Sequence, residues 1–390
     1  MPRLFTRPGL HTGGFYLALF MATGALVPFW PLWLSHWGLT PGEVGVYTAL
    51  GIAVRVVAGL LVPSLADRLD RRRAVVVVAA ALTAAIYLAH LGITEKPALL
   101  VATLAAGTTM AGIGPIAEAL GLAASRAWDF SYAQARSMGS IGYLAANLIV
   151  GALIARAGVG VALWWTVACM AAVAVLAVRH PGAHRVPART PPTMGEIGRL
   201  VVTPTFALFM AAVACLQSSH AMMYALGSVH WRDIGIGETE IGALWAASVA
   251  AEILFMLTIG TRVVRRLGPV GALALAGAGG VLRWGAMMGD PTGFWLWPIQ
   301  GLHALTFGAA HLGAMAFIGR AVPDRYAAAA QGATTAMAVG GVTAAAMILA
   351  AAVYPLLGGR TYAIGFVLSL AGLALAALLR RRWAGDEFDV

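Results

Sequence analysis

Apolar runs of about twenty residues recur along this chain from residue 13 to residue 380, separated by short loops rich in arginine, glycine and proline. A helix needs a run of about that length to cross the ~30 Å hydrocarbon core of a bilayer. Inside hydrocarbon each backbone N–H and C=O must be satisfied internally, so a single spanning segment of this kind is helical. About twelve such runs are present, and they predict an all-α integral membrane protein embedded in the lipid bilayer. Composition agrees: 60% of the 390 residues are hydrophobic and 11% are charged, against about 25% charged in a soluble domain. Arginines precede the first run as they would in a signal peptide. That run is too long, however, and no small-residue cleavage site closes it, so it reads as a retained first span.

The net charge of +10 raises the question of a nucleic-acid partner, and the placement of the charges answers it. With an even number of spans and the N-terminus inside, both termini are cytoplasmic, and 19 of the 26 Lys and Arg fall in cytoplasmic loops and tails. Lys96, Arg156, Arg232 and Arg360 fall outside, and Arg55, Arg136 and Arg283 lie in or at the edge of spans. This is the positive-inside asymmetry that sets orientation, and it implies no nucleic acid. Cys169 and Cys215 lie in apolar runs without metal-ligand or disulfide spacing, so they read as small buried hydrophobes. No metal and no cofactor is expected.

The longest polar, proline-rich interruption is "RHPGAHRVPARTPPTMGEIGRL", with six runs before it and six after. It divides the chain into a six-helix half at 1–178, a cytoplasmic linker at 179–202 and a second six-helix half at 203–390. "ALFMA" occurs in both the first and the seventh run, and "PSLADRLDRRR" is followed 198 residues later by "TRVVRRLGPVG". These echoes favour duplication, and parallel repeats are one way in which transporters achieve alternating access.

A charge at the centre of a membrane helix costs roughly 2.5–3.5 kcal/mol on insertion scales, and such residues face a cavity or a partner. The candidates are Arg55, Glu118, Arg136, Glu252 and Arg283, with His220, His303 and His311. Several belong to helical stripes: Arg136, Ser140, Tyr143 and Asn147 on the fifth span, Gln217, His220 and Tyr224 on the seventh. Trp245, Ser248 and Glu252 align on the eighth, and Gln300, His303, Phe307 and His311 on the tenth. Polar stripes on separate helices suggest one aqueous cavity. The plainer alternative for Gln217 and His311 is interhelical glue, and for Tyr143, Trp245 and Phe307 it is packing. Arg55 is open between bracing and function.

The loop "LADRLDRRR" resembles the one between helices two and three of the major facilitator superfamily, with Asp67, Arg68, Arg71 and Arg72 at the matching positions. Pro63 and Asp70 stand where glycine is usual. Such a loop can latch helix ends on the cytoplasmic face, as a gate. "EALGLAASRAWDFSYAQARSMGSIGY" is similar to the fourth-to-fifth helix region of the lactose permease, whose sugar site falls on Glu118, Arg136, Ser140 and Tyr143. Arg283 and His303 match its ninth- and tenth-helix arginine and histidine, whereas Gln300 and Thr306 replace its lysine and its proton-carrying glutamate. A closer, nearly full-length resemblance is to the phenylpropionate permease family, through "ALVPFWPLWLSHWGLTPGEVG", "LQSSHAMMYALGSVHW", "LWAASVAAEILFM" and "LHALTFGAAHLGAM".

These resemblances imply a major facilitator fold and a monomeric secondary transporter of the inner membrane. They imply proton-coupled uptake of a small aromatic carboxylate. Substrate contacts are then expected from Glu118, Arg136, Ser140, Tyr143, His220, Tyr224, Trp245 and His303, with Phe29 and Trp30 packing on the aromatic body. Proton coupling is expected from Glu252, Glu118 and Arg283. Desolvation favours the neutral form of a carboxyl and a nearby cation favours the charged form, so an acid beside arginine can exchange protons. The rivals within transport are a sugar or nucleoside symporter and an exporter of hydrophobic compounds. A membrane enzyme or a sensor is the rival of another class. Against it stand the absence of HExxH, GxSxG and metal-spaced aspartates and a tail of only "RRRWAGDEFDV" after residue 379.

Overall fold

The computed structural model describes residues 6–182 and 193–388. The first six helices are α1 (Arg7–Trp37), α2 (Pro41–Arg68), α3 (Arg72–Ala89), α4 (Lys96–Trp128), α5 (Tyr132–Ala157) and α6 (Val161–Val178). Part of the linker is helical: α7 (Met194–Val202) starts at a capping box between Thr193 and Glu196. The rest of the linker reading, 183–192, lies outside the described residues. Next comes α8 (Pro204–Asp233), and then two apolar stretches, Glu238–Met287 and Ala327–Arg382, of 50 and 56 residues. At 1.5 Å per residue each is about twice the length the bilayer requires. The first leaves helical geometry at Gly268, before Pro269, and the second turns through the 3₁₀ segment Gly358–Tyr362. They therefore divide into α9 (238–267), α10 (269–287), α12 (327–357) and α13 (Ala363–Arg382), with α11 (Gly293–Ala321) between the pairs. Among the described residues twelve spans result, as the hydropathy pattern predicts, and there is no strand.

Two compact units are present. The first comprises 1–40, 50–187 and 235–246, and the second 41–49, 188–234 and 247–390.

In the first unit α1 lies against α5 and α6. A Cβ at Gly142 of α5 would come within 2.6 Å of the Leu17 carbonyl oxygen of α1, so only glycine permits this approach. On the other side, Trp165 Nε1 donates to the Met21 carbonyl (3.1 Å) and a His11 ring nitrogen bonds the Leu176 carbonyl (2.7 Å). His180, just beyond α6, is fully buried beside Phe15, with ring centroids 5.0 Å apart. Its Nδ1 accepts from the Gly182 N–H (3.1 Å), which requires a neutral ring. Burial, helped by the positive potential of His11 and Arg73, holds the imidazole down at about 3.

In the second unit Phe209 stacks on Phe317 with centroids 4.1 Å apart, and Trp383 and Phe388 of the C-terminal tail pack on the same ring. The linker helix is tied to the segment before α12, where Glu196 accepts from Arg325 (2.6 Å) and from the Tyr326 hydroxyl (3.1 Å).

Two measurements test these packing arguments. Gly142→Val should lower stability by about 1–3 kcal/mol through overpacking, read as a lower melting temperature in detergent. The second concerns pH. An unfolded His180 binds its proton near 6.5 and the folded one only near 3. Its contribution is therefore complete above pH 6.5 and drains away as pH falls toward 3. His180→Asn should flatten the acid side of the stability profile.

Candidate functional site

In the first unit, α4 and α5 bring Glu118 and Arg136 together although eighteen residues separate them. Arg136 Nε donates to Glu118 Oε1 at 2.6 Å. The other carboxylate oxygen accepts from the Tyr132 hydroxyl, while the Tyr16 hydroxyl of α1 stands 3.5 Å away and donates to the Ala117 carbonyl at 2.9 Å. The pair is far from dry: the Glu118 side chain is 42% exposed and that of Arg136 is 31% exposed. The guanidinium carbon lies 4.2 Å from the Phe20 ring centroid and 5.4 Å from that of Tyr16, within the range of a cation–π contact. Glu118 engages Nε alone. Neither Nη atom has a hydrogen-bond partner among the described residues, which leaves open the forked edge that carboxylates bind in bidentate fashion.

The second unit holds a different arrangement around Arg283 of α10, which is 1% exposed. Its Nη1 donates to His303 Nδ1 (2.9 Å) and Thr306 Oγ1 (3.0 Å), and its Nη2 to Gln300 Oε1 (2.8 Å). Arginine only donates, so His303 Nδ1 is bare and its proton sits on Nε2, which faces Glu252 Oε2 of α9 at 3.3 Å. The direction of the remaining bonds follows. His220 Nδ1 meets the Gln217 carbonyl at 3.1 Å and must donate to it. Its Nε2 is then an acceptor and takes the Thr306 hydroxyl proton at 3.1 Å. Ser248 completes the set by donating to Gln300 Oε1 (3.1 Å). The cation is thus surrounded by neutral acceptors, and the one carboxylate in the chain of bonds is reached through His303. A π-helical stretch at Ala304–Ala309 carries Thr306 and Phe307, and π-turns of this kind recur at functional sites.

The other expected residues are distributed as follows. Ser140 and Tyr143 are half-buried on α5, and the Tyr143 carbonyl accepts from Asn147 Nδ2 (2.7 Å). Tyr224 stacks on His220 with centroids 5.7 Å apart, and Phe307 stacks on both His303 and His311. Trp245 is buried and groups with the first unit, whereas Ser248 and Glu252 of the same helix group with the second. Phe29 is fully buried, and Trp30 stacks on Trp33 (4.7 Å) beside Tyr87 and His90, a cluster distinct from Phe20 and Tyr16. Arg55 lies against Gly107 of α4, its Nε buried without a partner. In the second-to-third loop Asp67 pairs with Arg72 at 2.6 Å, while Arg68 and Arg71 are exposed.

Sequence reasoning missed Tyr16, Phe20 and Tyr132 around the first pair and treated Thr306 only as a departure. Tyr16 and Phe20 lie i, i+4 on α1, a spacing that marks a shared face. It does not say that the face meets Arg136.

The family pattern described as the MFS_1 like family matches residues 10–362. Over 369 residues the chain is 26% identical to the Probable 3-phenylpropionic acid transporter of Escherichia coli (strain K12), covering 92% of this chain and 95% of that one. It is 25% identical over 388 residues to the Maltose permease of Geobacillus stearothermophilus, covering 96% and 95%. Among solved structures, a mutant form of the nucleoside transporter NupG superposes with a TM-score of 0.82 over 96% of this chain and 99% of that one. At 16% identity that likeness concerns the fold alone. The family match over most of the chain, on a frame of twelve spans, leads to one conclusion: this protein belongs to the MFS_1 like family of the major facilitator superfamily and is a multi-pass membrane transporter, not an enzyme.

Proposed function

We propose that the protein is a proton-coupled importer of a small aromatic carboxylate, of the phenylpropionate kind, acting as a monomer in the inner membrane with both termini cytoplasmic. In this reading the halves 1–178 and 203–390 alternate access, and Asp67, Arg68, Arg71 and Arg72 serve as the gating loop. The observation that carries it is the unclaimed Nη edge of Arg136 between the Phe20 and Tyr16 rings. A guanidinium fork flanked by aromatic faces suits an aryl carboxylate: the fork takes the two oxygens and the rings take the aryl body. The substrate named for the Escherichia coli relative has that chemistry.

Glu118 in this scheme orients Arg136 through Nε and leaves the fork free, so substrate need not displace it. Protonation of Glu118 weakens that hold and raises the positive potential the substrate meets. Glu252 is the favoured proton carrier. When it is charged, the polarised chain from Arg283 through His303 ends on it, and when it is protonated the buried cation loses its one linked counter-charge. Ser140, Tyr143 and Trp245 are assigned to the substrate, His220 and Tyr224 to the walls of the second unit's network. A neutral sugar substrate is the second reading, favoured by the resemblance to the Maltose permease.

Two experiments in proteoliposomes test the proposal. Arg136→Lys removes the fork and should weaken 3-phenylpropionate uptake about tenfold or more in apparent affinity, as loss of a charge-assisted bond of roughly 1.5–3 kcal/mol requires. Unchanged affinity, or competition by 3-phenylpropanol equal to that by the acid, would select the neutral substrate. Glu252→Gln should abolish accumulation driven by an imposed pH gradient while counterflow exchange continues. Gradient-driven accumulation at the wild-type rate in both Glu252→Gln and Glu118→Gln would place coupling elsewhere.

A further inference from the structure

A second polar cluster lies in the second unit, and none of its members is a residue assigned above. Helix α8 is 30 residues long, about 45 Å at 1.5 Å per residue. Near its start Phe206 packs on Phe388 of the tail, with centroids 6.3 Å apart. His230 and Asp233 are at its other end, the end opposite the tail. There His230 Nε2 meets Asp290 Oδ1 at 2.8 Å, His230 Nδ1 meets the Tyr354 hydroxyl at 3.1 Å, and that hydroxyl meets Asp233 Oδ2 at 3.2 Å. Four side chains from three segments form one unbranched chain: Asp290, His230, Tyr354, Asp233.

The protons in this chain can be counted. Three hydrogen bonds require three protons. Ionised carboxylates bring none, the tyrosine hydroxyl brings one and a neutral imidazole brings one. Two protons cannot close three bonds. If Tyr354 donates to Asp233, its oxygen must accept from His230 Nδ1, and Nε2 must donate to Asp290, so both ring nitrogens carry hydrogen. We infer that Asp290, His230, Tyr354 and Asp233 form a proton-binding site that takes up one proton from solution and, in doing so, ties together the ends of α8, α10 and α12 remote from the tail.

The surroundings suit this role. His230 is 4% exposed, with one carboxylate on its ring and a second reached through Tyr354, and the Asp290 side chain is 46% exposed, which gives the proton a route from water. Asp290 holds a left-handed backbone (φ 50°), and a Cβ at Gly359 would collide with its carboxyl group, so the seat for this acid depends on a glycine in the facing turn. The charged and titratable groups facing the ring are Asp290 from the end of α10 and Tyr354 from α12. Tyr362 of the following turn faces it at 6.1 Å, and Asp233 and Arg232 belong to its own helix. Arg360, in the same turn as Tyr362, is exposed. Tyr362 also stacks on Trp284 (5.8 Å, 5° between planes), and Trp284 touches His220 edge-on at 5.2 Å. The site is therefore in packing contact with the Arg283 network. In the orientation proposed above, this end of the unit meets the medium from which protons enter.

Loss of the third proton leaves one bond unmade, so by mass action the tie strengthens as pH falls. The test is hydrogen–deuterium exchange of the full-length protein in lipid nanodiscs at about pH 5.5 and about pH 8, on either side of neutrality. Corrected for intrinsic rates, amides at 228–234 and 354–362 should exchange about two- to tenfold more slowly at the lower pH, the effect of one hydrogen bond. Tyr354→Phe keeps the ring and removes the relay, and His230→Gln removes the second ring proton; in both the pH difference should vanish. Equal protection at the two pH values in the wild type would overturn the inference. So would a pH difference that survives undiminished in either variant.

Discussion

A charged side chain in hydrocarbon is tolerated only where something nearby answers it, and in this protein the placement of most other features follows from that demand. Glu118 and Arg136 answer each other across the α4–α5 turn, with the Tyr132 hydroxyl taking up the remaining oxygen. Arg283, deeper and almost without solvent, cannot rely on water. It spends its donors on His303, Thr306 and Gln300 and reaches Glu252 only through an imidazole. Both arrangements need helix backbones close enough for short polar bonds, which explains why glycine stands at contacts such as α1 with α5.

The two units solve the same electrostatic problem in chemically different ways. Around Arg136 the partner is direct, both side chains stay partly open to solvent, and aromatic faces flank the cation. That environment suits an exchangeable ligand. Around Arg283 the partners are buried and their hydrogen bonds run in one direction, because arginine cannot accept and a backbone carbonyl cannot donate. That environment suits transfer of a proton along fixed partners. The replacement of the lactose permease's tenth-helix lysine and glutamate by Gln300 and Thr306 belongs here. Both replacements are neutral acceptors for Arg283, so the cation has no second acid at that level, and Glu252 on α9 supplies the negative charge.

Much of the fold was legible in advance. The run lengths set twelve spans, and the Lys and Arg count set the expected orientation. The pairing of Glu118 with Arg136 was legible too, through the resemblance of this stretch to the lactose permease, although Glu118 lies farther from the intervening turn than Arg136 does. The role of His303 between Arg283 and Glu252 was half legible: all three residues were suspected, but the order of the bonds was not. The cluster of Asp290, His230, Tyr354 and Asp233 escaped notice because its members lie at helix ends, where polar residues are ordinary and carry no cost that would mark them out. The aromatic neighbours of Arg136 escaped for a related reason, since Phe20 and Tyr16 are unremarkable in an apolar run.

What the sequence by itself determined was which segments enter the membrane and which few charges they must carry, since both are questions of transfer free energy for a single helix. Only the tertiary structure decided which atom of each charge meets which partner. Arg136 is held by Nε with its fork left free, Arg283 is held by its fork with Nε unpartnered, and a proton is missing from the count at His230. Those outcomes depend on helix rotation and on approach distances of a few ångströms, which arise only when several helices pack at once.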